Sequence, residues 1–86
     1  MTRPKLDYPC AYPLKVMGRD NAQFRAKART IVERHVGPLT DAEVAARSSS
    51  EGTFLALTFA ITAESREQLD ALYRELSNCP EVLVAL

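Results

Sequence analysis

The chain has little of what most chemistry requires. It holds one histidine and two cysteines, and no CxxC pair or clustered Cys and His. A zinc or other heavy-metal site is therefore not expected, and no cofactor is implied. The three glycines, at 18, 37 and 52, form no Gly-rich phosphate loop, and no Ser-His-Asp set is present. Net charge is also lacking, with 11 basic residues against 11 acidic. That removes the usual electrostatic case for nucleic acid or an anionic membrane. No apolar run approaches the ~20 residues of a membrane span. The first residues, MTRPKLDYPCAYP, have no apolar core followed by a small-residue cleavage site. They do not read as a signal peptide, which points to the cytoplasm, where Cys10 and Cys79 stay reduced.

What is present is hydrophobic patterning. The 86 residues make one domain, with residues 1–11 as a loose tail and residues 12–86 folded. The chain is organised around residues 52–63, GTFLALTFAITA. Leu55, Leu57, Phe59 and Ile61 alternate with Phe54, Ala56, Thr58 and Ala60, the period of a central β-strand. The larger set should face the core. Residues 12–18 form a first strand, with Leu14 and Val16 on one face and Lys15 and Met17 on the other. Gly18 then lets the chain turn. Residues 20–36 form a first helix, with Asp20 and Gln23 as a capping box or Asn21 as the cap. Its stripe is Phe24, Ala28, Ile31, Val32 and His35, and Gly37-Pro38 ends it.

Residues 43–48 read as a weaker edge strand, joined to the central one by the polar turn Ser48-Ser49-Ser50-Glu51-Gly52. Residues 65–77 form a second helix with a Ser65 and Gln68 capping box. Leu69, Leu72, Tyr73 and Leu76 are its buried stripe, and Asp70 and Arg74 are spaced as an exposed pair. Residues 82–86 form a last strand. The order βαββαβ, with right-handed crossovers, predicts an α+β ferredoxin-like fold. Its antiparallel sheet has strand order 4-1-3-2, with both helices on one face.

Each chemistry-bearing residue also has a structural reading. His35 lies within an apolar stripe and reads as packing rather than catalysis. Cys10 and Cys79 precede neighbouring antiparallel strands, so they start at opposite ends of the sheet, beyond disulfide reach. Residues 52–59 share their fold position with the aromatic strand of RNA-recognition modules, but only Phe54 would lie on the open face. The first helix segment, 19–36, holds five basic residues against two acidic, and the second, 64–81, the reverse. Mutual attraction between the helices explains this, with a polar docking surface as the sharper reading.

Lys15-Val16-Met17-Gly18, Arg34-His35, the turn at Ser49, Ser50 and Gly52, and Glu67-Gln68 with Leu72-Tyr73 and Glu75-Leu76 follow one another in a specific order. In this the chain resembles the YbeD-like family of small bacterial proteins from about Tyr12 onward. The resemblance implies a ferredoxin-like fold similar to ACT-type regulatory domains, with no established enzyme activity. Family genes often lie beside those of lipoate attachment and synthesis, which implies a regulatory or accessory role there.

The expectation is a non-enzymatic binding or regulatory protein, acting through another protein or as a homodimer, with no nucleic acid and no membrane as partner. An alternative is an ACT-like domain binding a small-molecule effector near Gly18 and the start of the first helix. A third is an acylphosphatase-like hydrolase using Arg19 in an anion loop. The candidate interaction face is Lys15, Met17, Phe54, Ala56, Thr58 and Ala60, with the last strand beside it. No helix covers it, and apolar side chains interrupt its polar pattern.

Overall fold

A computed structural model describes residues 7–49 and 51–86. Most of the expected tail, and Ser50 of the hairpin turn, lie outside the described residues. The elements are β1 (Cys10–Arg19), α1 (Ala22–Val36), β2 (Val44–Ser48), β3 (Phe54–Ala63), α2 (Arg66–Ser77) and β4 (Val82–Ala85). They form one antiparallel sheet in the order β2-β3-β1-β4, the expected order read from the other edge. The two longest strands, β1 and β3, lie side by side in the centre and pair over ten residues.

Alternation sorts the side chains of these strands onto two faces. Leu14, Val16, Leu55, Leu57, Phe59 and Ile61 point to one side and are buried. Phe24, Ala28, Ile31 and Val32 of α1 and Leu69, Leu72 and Leu76 of α2 meet them there. The amphipathic stripes of the helices thus close one core against one face of the sheet. Among the described residues this core holds no polar or charged side chain, so nothing buried in it needs a hydrogen-bond partner.

Local chemistry sets the element ends. Asn21 caps α1, its Oδ1 accepting the Phe24 N–H at 2.7 Å. Asp20 is not part of a capping box. Its carboxylate accepts from Arg25 at 2.9 Å and from the Ser48 hydroxyl at 3.0 Å, tying the start of α1 to the end of β2. Gly37 ends α1 in a left-handed conformation, φ 88°, with its N–H on the Glu33 carbonyl. Ser65 caps α2 by accepting the Gln68 N–H at 3.1 Å, while Gln68 reaches back one residue further, to the Glu64 N–H.

Three readings of the sequence need correction. Strand β1 begins at Cys10, because Cys10 and Ala11 pair with Ala63 and Thr62 at the far end of β3. Gly18 is not a turn residue. It lies inside β1, where a Cβ would sit 2.5 Å from the Glu81 carbonyl oxygen and from the Phe24 ring. Its task is to let both approach the strand. Asp70 pairs with Arg66 at 3.8 Å, one turn earlier, rather than with Arg74.

Candidate functional site

Among the described residues no element covers the face of the sheet opposite the helices, and residues paired across strands project from the same side of it. Met17 pairs with Ala56 on β3 and with Val84 on β4. Lys15 pairs with Thr58, and it exchanges both backbone hydrogen bonds with Leu86. Arg19 pairs with Phe54, and Arg47 of β2 pairs with Ala56. Lys15, Met17, Phe54, Ala56, Thr58 and Ala60 therefore all project from this one face. Met17 is 37% exposed, Phe54 43% and Val84 44%. Lys15 and Ala60 are exposed, and Ala56 and Thr58 half-buried.

The register adds residues that sequence reasoning did not assign. Val84 and Leu86 extend the apolar area along β4, and Arg19 and Arg47 bring two more cations. Arg19 shares the parity of Lys15 and Met17, so one more residue of strand would have revealed it. Arg47 becomes legible only once the β2–β3 register is known. A shallow depression of about 180 Å³ opens on this face, lined by Met17, Phe54, Ala56, Arg47 and the Ser48-Ser49 end of β2.

The helix side is cross-linked rather than open. Arg34 and His35 at the end of α1 both bond the Glu75 carboxylate of α2, His35 through Nε2 at 2.7 Å. His35 is therefore half-buried and bonded as well as packed. Its donated hydrogen bond, followed by the Arg34 charge, holds the Glu75 carboxyl below the usual carboxylate range. Lys27 and Glu81 pair at 2.9 Å, which lowers the Glu81 pKa and raises that of Lys27. The opposite charges of the two helical segments thus meet each other directly. A cleft of about 350 Å³ between the helices, over Ile31 and Cys79, is rimmed by these same paired groups. At the other end of the core the Tyr12 and Tyr73 hydroxyls bond each other at 2.8 Å, and burial pushes the Tyr73 phenol up.

Cys10 and Cys79 are both free thiols, one at the start of β1 and the other ahead of β4, near Gly18 at its far end. No three His, Cys, Asp or Glu side chains gather at a metal-holding distance among the described residues. No helix among them is long and apolar enough to cross a membrane.

The sheet order, the two helices on one face and the uncovered opposite face define a small ferredoxin-like α+β module. The chain belongs to the family described as "Protein of unknown function (DUF493)", which matches residues 3–86. This is the YbeD-like group of small bacterial proteins to which the sequence motifs point. A UPF0250 protein of Chromobacterium violaceum is 40% identical over 80 residues, 93% of this chain and 90% of that protein. The UPF0250 protein NE1487 of Nitrosomonas europaea is 38% identical over 81 residues, 94% of this chain and 93% of that one. The solution structure of protein HP0495 from H. pylori superposes with a TM-score of 0.72 at 15% identity, covering 98% of this chain and 88% of that chain. At that identity the likeness concerns the fold alone.

Proposed function

We propose that this chain is a non-enzymatic accessory or regulatory module that works in the cytoplasm through protein–protein contact on its open sheet face. The observation that carries this reading is the run of exposed apolar side chains, Val84, Met17 and Phe54, on a face that no described helix covers. Solvated faces of antiparallel sheets ordinarily alternate to polar side chains, and contiguous apolar area marks a contact.

The competing readings find less support. An effector site near Gly18 and the start of α1 gains no support at Gly18 itself, where the Phe24 ring and the Glu81 carbonyl fill the space above that residue. An acyl phosphatase needs free backbone N–H groups between β1 and α1 to hold an anion. Here three of the five N–H groups from Asp20 to Phe24 are already taken: the Asp20 N–H donates to the Thr53 carbonyl, the Asn21 N–H to the Arg19 carbonyl and the Phe24 N–H to the Asn21 side chain. The resemblance to YbeD-like proteins implies lipoate attachment and synthesis as the setting, so proteins of that pathway are the first partners to test.

Phe54→Asp tests the reading, since a carboxylate is harmless in water and costly in an apolar contact. The variant is expected to melt like the wild type and to lose its captured partner in a pull-down. A variant that keeps the same partners and the same sedimentation behaviour would show that the face is merely solvated.

A further inference from the structure

We propose that the occupant of the open face is an acidic segment of another protein. It seats an apolar side chain in the depression between Met17 and Phe54 and sets a carboxylate against Arg47. This inference rests on the reading of that face as a contact surface and names the chemistry of the partner.

The argument starts from how the fold sorts charge. Arg25, Lys27, Arg29, Arg34 and Arg66 each pair with a carboxylate. Among the described residues the lysines and arginines without such a pair are Lys15, Arg19, Arg47 and Arg74. The first three all project from the open face, and they make no side-chain hydrogen bond to another described residue. The described strand positions on that face carry no Asp or Glu side chain. In a chain of zero net charge, the charged side chains at the described strand positions of this face are thus all cations, with apolar side chains between them. Such a surface attracts a partner of opposite charge and repels one of its own.

That pattern decides between occupants. A second copy docked face to face about a two-fold axis would set Lys15, Arg19 and Arg47 near the same cations of its mate, a like-charge juxtaposition. A single nucleic-acid strand also carries negative charge, but it binds by stacking bases on rings. Among the described strand positions of the face Phe54 is the one aromatic ring, at the end of β3, and Ala56 and Thr58 occupy the positions a platform would use. Aliphatic side chains in a depression beside an unpaired guanidinium suit an apolar anchor next to an acid.

The test uses the intact protein and three fluorescein-labelled probes. One is a peptide with glutamates around a leucine and a phenylalanine, the second is its lysine counterpart, and the third is single-stranded oligo(U). Fluorescence anisotropy should show the acidic peptide binding in preference to both others. Its affinity should collapse as salt rises to about 1 M, where screening acts within ~3 Å. Amide NMR shifts should map to Met17, Phe54 and Arg47. The triple variant K15E/R19E/R47E should weaken binding about tenfold or more, since each exposed pair alone is worth up to about fivefold. Arg74→Glu, on α2, should leave the affinity unchanged, and thermal melts confirm that each variant folds.

Preference for the lysine peptide or for oligo(U), no binding of the acidic peptide, or full affinity in the triple variant would overturn the acidic occupant. The open face would still stand as a contact surface if Phe54→Asp abolished whichever interaction was found. Acidic-peptide binding that Phe54→Asp does not touch, with shifts on the helices, would overturn both.

Discussion

The tightest packing constraint in the molecule is at Gly18, and Gly18→Ala tests it directly. The added methyl would lie 2.5 Å from the Glu81 carbonyl oxygen and 2.5 Å from Cδ1 of Phe24, both well inside contact distance. One obstruction is backbone and belongs to the turn that feeds β4. The other is a ring with no exposed surface, so it has no open volume to rotate into. Forced overpacking typically costs about 1–3 kcal/mol, and a rigid backbone obstruction puts this site in the upper half of that range. Replacing glycine also restricts the unfolded chain, which returns about 0.4–1 kcal/mol in favour of the fold. The net expectation is destabilisation by about 1–2.6 kcal/mol. In a domain of this size each kcal/mol lowers Tm by about 4–8 °C. Urea titration followed by circular dichroism should show a lower midpoint with an unchanged slope. Adding Phe24→Leu in the background of Gly18→Ala should cost less than Phe24→Leu alone, because the smaller side chain relieves one of the two obstructions. An unchanged or higher midpoint for Gly18→Ala would refute the close approach of β4 and Phe24 to the strand.

The buried leucines carry a second prediction. Leu57→Ala and Leu72→Ala should each destabilise by roughly 2–5 kcal/mol, and less than 1 kcal/mol for both in denaturant titration would contradict their burial between sheet and helices. The third concerns pH. Asp20, Glu43, Glu75 and Glu81 all have folded pKa values below their ordinary ones, held down by Arg25, the Thr40 N–H, His35 and Lys27 respectively. A depressed carboxylate stabilises the fold fully above its unfolded pKa, and that contribution disappears as pH falls through the folded value. Stability should therefore begin to drop below about pH 4.5, and Glu75→Gln should flatten that drop while lowering the midpoint at neutral pH. The fourth is that His35→Gln changes stability modestly and leaves partner capture intact, since His35 bonds Glu75 on the helix side, away from the open face. A variant with wild-type melting and no capture would reverse that assignment.

The parts of the fold that follow from periodicity were legible in the chain. Ten residues of strict alternation leave one placement for β3, and the stripe of Leu69, Leu72 and Leu76 leaves one buried face for α2. What escaped depends on contacts distant in sequence. Asn21, one of the two caps the sequence offers, is the one used, because Arg25 and Ser48, the latter 28 residues beyond Asp20, claim the Asp20 carboxylate. Gly18 reads as a turn because a glycine after an apolar run usually is one; only the arrival of Glu81 shows that the strand continues through it. Cys10 joins β1 because Ala63, 53 positions later, pairs with it. His35 reads as packing because its partner, Glu75, comes 40 residues later on another helix.

The candidate site shows the same division more sharply. Lys15 and Met17, with Phe54, Ala56, Thr58 and Ala60, share a face by parity within single strands, which a sequence carries on its own. The sign of that face does not follow from parity, because it depends on which cations find carboxylates. The sequence places its largest group of basic residues, five of eleven, in the segment 19–36 and therefore directs attention there. In the folded chain those of α1 are the neutralised ones, through Asp20, Glu33, Asp41, Glu75 and Glu81. Among the described residues, three of the four cations left over are scattered in sequence, at positions 15, 19 and 47, and only the β1–β3 and β2–β3 registers bring them to one surface, while Arg74 stays on α2. Net charge is a sum and loses position, whereas a partner meets a local field within about one Debye length, ~8–10 Å. A protein of zero net charge can therefore still select an acidic partner, provided its own carboxylates pair with cations elsewhere, as five of them do here with those of α1.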